Sequence, residues 1–62
     1  MSIRMLAVEL YRAMKRVEEL EKSLEALASD APEVGQVMDE LRRARAERDR
    51  VRAMMEGAKH SD

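Results

Sequence analysis

The sequence contains no cysteine, tryptophan, phenylalanine, threonine or asparagine, and Tyr11 is its only aromatic residue. Without cysteine, disulfide staples and thiolate metal sites are excluded. Without an aromatic series there is little to stack on nucleic-acid bases. One proline (Pro32) and two glycines (Gly35 and Gly57) leave few breakers of regular structure. Charge of one sign is missing too: twelve basic and thirteen acidic side chains give a net charge of −1. That balance argues against a simple polycation and against an acidic tail. The opening segment is interrupted by Arg4, Glu9 and Arg12, so it lacks the apolar run of about 7–15 residues that a secretory signal needs. Nor does any stretch approach the roughly 18 apolar residues of a membrane span. A cytoplasmic protein is therefore expected. Nine arginines against three lysines hint, by composition alone, at a bacterial source.

What is present points to helices. Ala, Leu, Glu, Arg and Met dominate, and all are good helix formers. The breakers punctuate the chain once, near 29–32, and again at Gly57. The sequence predicts one domain over residues 1–57: a helix over about 2–29 with Ser2 as its cap, a turn over about 29–32, and a helix over about 32–56. Asp30 or Ala31 is the predicted cap of the second helix, with Pro32 in its first turn and Glu33 completing a capping box. Gly57 is predicted to end it in a left-handed conformation, leaving 58–62 as a frayed tail.

The apolar residues carry the stronger signal. Ile3, Leu6, Leu10, Ala13, Val17, Leu20, Leu24 and Leu27 are spaced by alternating threes and fours, a heptad stripe. Val34, Val37, Leu41, Ala44, Arg48, Val51, Met55 and Ala58 repeat the pattern, with one arginine among them. Folded back at residues 28–33, the stripes face each other in eight layers whose residue numbers always total 61. Leu20 meets Leu41, Val17 meets Ala44, and Arg48 falls opposite the small Ala13, where its stem has room to lie across the seam. Arg16 and Glu47 are expected on one edge. The predicted fold is all-α: an antiparallel, coiled-coil-like hairpin.

Two helices make a thin core. A chain of this size buries only about 60% of the surface it exposes when unfolded and usually needs a staple or a partner. Ten of the first fourteen residues are apolar, more than one seam uses, and the surplus includes Met1, Met5, Ala7, Val8, Tyr11 and Met14. Met54 lies across the hairpin at the same open end. A helix apolar over most of its circumference is normally buried. Met5, Val8, Tyr11, Met14 and Met54 are therefore the predicted interface, for a second copy in a four-helix homodimer or for another protein. The expected architecture resembles small bacterial dimeric αα-hairpins, in architecture alone.

Other features support other roles less well. Six arginines fall within Arg42–Arg52, and Arg42, Arg45 and Arg52 are the candidate phosphate contacts of an alternative, nucleic-acid-binding reading. Acids four residues away (Asp39–Arg43, Arg43–Glu47, Arg45–Asp49 and Arg52–Glu56) favour a solvated, ion-paired helix instead. A membrane-surface helix would use Arg4, Arg12, Lys15 and Arg16 at headgroups, against which Glu9 stands. The single histidine, His60, sits in the tail, and the serines have no base beside them. No Glu-x-x-His pair suggests a metal-binding bundle. No catalytic residue, cofactor or metal is predicted.

Overall fold

A computed structural model describes residues 2–60, apart from the side chain of His60. Among the described residues the chain forms two helices, α1 (Ile3–Ala26) and α2 (Val34–His60), which pack against each other as a hairpin. Leu6 lines a groove with Val51 and Met54 at one end, and Leu24 one with Met38 and Leu41 at the other, so the helices run antiparallel. The result is a rod of 49 × 14 × 13 Å.

Ser2 caps α1 as the sequence predicts. Its backbone is extended and its hydroxyl accepts from the Met5 N–H at 3.2 Å, satisfying one of the free donors of the first turn. The far end of α1 comes earlier than predicted. Leu27 turns extended (φ −87°, ψ 144°) and its N–H donates to the Leu24 carbonyl. Leu27 nevertheless stays half-buried, so the stripe outlasts the helix that carries it.

Both predicted boundaries of α2 move. The Val34 N–H donates to the Ala31 carbonyl at 3.2 Å and the Val37 N–H to the Glu33 carbonyl at 3.0 Å. The helix therefore begins beyond Pro32, which lies in the preceding turn. Ala31 thus accepts a turn bond from three residues on, and Glu33 accepts the first bond of α2. At the other end α2 passes through Gly57 without a left-handed residue. Residues 58–60 continue the helix; Ser61 and Asp62 of the predicted tail lie outside the described residues.

Burial follows the stripes. Fifteen of the sixteen stripe residues are buried or half-buried, and beyond them only Ala31, Asp39 and Glu40 are even half-buried among the described residues. Val17, Leu20 and Leu41 form the buried centre, with Leu24, Val37 and Ala44 packed on it. These six are three consecutive layers of the predicted register. Leu6 and Val51 are buried towards the open end. Ile3 departs from the pattern at 39% exposed: it opens α1, and its predicted neighbour is only Ala58. Arg48 is half-buried in the seam as predicted, with its Nε donating to Asp49 Oδ1 at 3.0 Å.

The core is correspondingly thin. Among the described residues five side chains are buried and none completely. The chain exposes 4826 Å², where a compact monomer of its mass would expose about 4,100 Å². Its radius of gyration is 14.4 Å, against about 11 Å for a compact domain of this length.

Candidate functional interface

Two ion pairs between the helices define the edges of the seam. Arg16 reaches Glu40 at 3.7 Å on one edge, and Arg45 donates to Glu21 at 3.0 Å on the other. Glu47, expected on the same edge as Arg16, pairs with Arg50 one turn along its own helix. Residues seven apart lie close to two turns apart and share a helix face. On the Arg16–Glu40 edge, that spacing adds Glu9 on α1 and Glu47 and Met54 on α2. On the Glu21–Arg45 edge, it adds Ala7 and Met14 on α1 and Met38 and Arg52 on α2. Tyr11 sits beside Met14, and Met5 beside Glu9, each one row further out.

All five predicted interface residues are exposed, Tyr11 most of all at 64%. Met5 and Val8 line a shallow groove with Arg4, Glu9 and Arg12. Met54 lines the adjoining groove with Leu6, Val51, Glu9, Glu47 and Arg50. Tyr11 and Met14 line neither. Met5, Val8, Tyr11 and Met14 follow one another at three-residue spacing across the outer side of α1, where such residues are neighbours, and Met54 stands on the Arg16–Glu40 edge. Met1, part of the predicted surplus, lies outside the described residues.

A further exposed apolar residue was not singled out from the sequence. Met38 is 52% exposed and lines a groove of about 310 Å³ with Leu24, Leu41, Arg42 and Arg45. The signal for it was present: Met38 stands seven residues before Arg45, outside the stripe, as Met54 does on the opposite edge.

The arginine-rich segment is laced with carboxylates, though not always those predicted. Asp39 holds Arg43 at 3.0 Å and touches Arg42 at 4.0 Å. Arg45 is held by Glu21 of the other helix, not by Asp49. Glu47 bonds to Arg50 and not to Arg43, raising the Arg50 guanidinium above its ordinary value through that hydrogen bond and the carboxylate charge. Glu56 pairs with Lys59 at 3.8 Å rather than with Arg52. Of the three candidate phosphate contacts, Arg42 and Arg45 are engaged and Arg52 has no ion pair among the described residues. On α1, Lys22 stands 3.1 Å from Glu18. Its hydrogen bond and charge, with the charge of Lys15, hold the Glu18 carboxyl below its ordinary value.

Among the described residues, no three His, Asp or Glu side chains gather to hold a metal ion. Nor is any described helix long and apolar enough to cross a membrane. The side chain of His60 lies outside the described residues. No family model, curated protein or solved structure matches the chain.

Proposed function

We propose that this protein is a non-catalytic helical hairpin that works by association, pairing with a second copy of itself into a four-helix assembly. One observation carries the reading. Ile3, Met5, Val8, Tyr11, Met14 and Met54 are exposed towards the open end of a rod in which, among the described residues, only five side chains are buried. Large apolar surface of this kind on a small protein marks an interaction site. Two helices have no third layer to shield their seam, and a second hairpin supplies one. Symmetric pairing of identical chains is the commonest way to do so. Methionine suits such a surface because its flexible, polarisable side chain fills irregular gaps.

Sedimentation equilibrium on the full chain tests the reading. A mass of twice the chain at micromolar concentration is the expected result. A stable, fully helical monomer over the same range would overturn it.

A further inference from the structure

The near-zero net charge conceals a strong division along the rod. The Val17–Ala44 layer divides the hairpin into an open half, residues 1–16 and 45–60, and a turn half, residues 17–44. The open half carries nine cations and four carboxylates; the turn half carries three cations and eight carboxylates. In sequence the charges run basic, acidic, basic. The fold brings the two basic blocks together at the open end and leaves the acidic one at the turn.

This division constrains how a second copy sits. Two open ends placed together would oppose nine cations with nine, and like charges across an interface are costly. Antiparallel rods instead lay each basic half on the partner's acidic half. The apolar side chains then select the edge. The Arg16–Glu40 edge and its outer row present Met5 and Met54 at the open end but nothing large and apolar at the turn end. The Glu21–Arg45 edge has both: Met14 and Tyr11 towards the open end, and the groove of Leu24, Met38 and Leu41 towards the turn.

We propose that two copies pack antiparallel along their Glu21–Arg45 edges, with Met14 and Tyr11 of each seated at the Leu24–Met38–Leu41 groove of the other. The inference rests on the self-association reading above and specifies its geometry. Seating Met14 level with the partner's Met38 sets Arg52 within about one helical turn, 5.4 Å along the rod axis, of the partner's Glu25. Neither Arg52 nor Glu25 has an ion pair within its own chain among the described residues, which leaves both charges available to the partner. The area also suffices. One side of a 49 × 14 Å rod projects about 700 Å², close to the ~800 Å² that each partner gives to a standard interface. Met5, Val8 and Met54 remain outside this contact.

Charge reversal and cross-linking test the arrangement. Arg52→Glu and Glu25→Arg should each raise the dimer dissociation constant roughly tenfold at low salt, because a two-fold dimer contains the contact twice. Combining them in one chain should restore pairing, while helical circular dichroism stays unchanged throughout. With no native cysteine, Met14→Cys and Met38→Cys can be mixed and treated with a short bismaleimide. The 14–38 mixed product should dominate, and Met54→Cys alone should give none. A wild-type dimer that ignores both reversals and cross-links through Met54→Cys would overturn this geometry and leave self-association standing. A wild-type monomer would overturn both.

Discussion

The guanidinium of Arg16 lies 3.7 Å from the carboxylate of Glu40, joining the two helices on the edge that carries Glu9 and Met54. Arg16 is exposed and Glu40 half-buried at the rim of the seam, and pairs so open to solvent contribute about 0–1 kcal/mol. A double-mutant cycle with Arg16→Ala and Glu40→Ala, read by urea unfolding, should give a coupling below about 1 kcal/mol that shrinks as salt is added. A coupling several times larger would mean that charge, rather than the apolar stripe, sets the register of the hairpin.

The central layers should behave in the opposite way. Leu20 and Leu41 are buried in one cluster, so Leu20→Asp or Leu41→Asp places an unpaired carboxylate in the thin core. Each should cost about 3–5 kcal/mol, enough to abolish the helical circular dichroism of so small a fold at room temperature. Glu19→Ala, on an exposed position, should leave it intact. Retention of full helicity by either aspartate variant would show that these layers do not hold the hairpin together.

Gly57 gives a test of opposite sign. It lies inside α2 with no positive φ, and nothing approaches within 4 Å of where a Cβ would stand. Gly57→Ala should therefore stabilise by up to about 1 kcal/mol, through the conformational entropy glycine loses in a helix. For a domain this small that raises Tm by a few degrees, roughly 4–8 °C per kcal/mol. A lower Tm would restore the left-handed helix end that the sequence alone suggested.

Glu18 carries a pH signature. Its folded carboxyl is held below its ordinary value, first by the hydrogen bond from Lys22 and then by the charges of Lys22 and Lys15. A depressed folded value means that the contribution is present above the unfolded pKa and is lost as pH falls through the folded one. NMR titration of the Glu18 side chain should show its midpoint rising when Lys22 is replaced by alanine. An unmoved midpoint would show that the pair does not persist in solution.

Apolar spacing revealed the seam because burial acts on every third or fourth residue at once. A dozen large side chains in step outweigh any one local preference. Helix ends rest on single residues and were less legible. Pro32, acceptable in a first helical turn, lies instead in the turn before α2, and Gly57 did not end the helix, since a glycine followed by Ala58, itself on the stripe, can remain helical at modest cost. Ion-pair partners were least legible. Arg45 has acids within reach on two helices, and spacing on its own helix pointed to Asp49 where the fold supplied Glu21. The exposed residues of the open end were legible in the apolar surplus of the first fourteen positions, whereas Met38, a lone apolar residue towards the turn, was not.

The elongation of the hairpin governs how its solution behaviour must be read. A particle 49 Å long and about 13 Å thick drags more water than a sphere of equal mass, so its gel-filtration volume overstates its size. A monomer would elute early enough to be mistaken for a pair. Friction also reports on geometry. Side-by-side association thickens the particle at nearly constant length and makes it hydrodynamically rounder, whereas end-to-end association lengthens it. The frictional ratio from sedimentation velocity should therefore fall on pairing along the helix edges and rise on pairing through the tips.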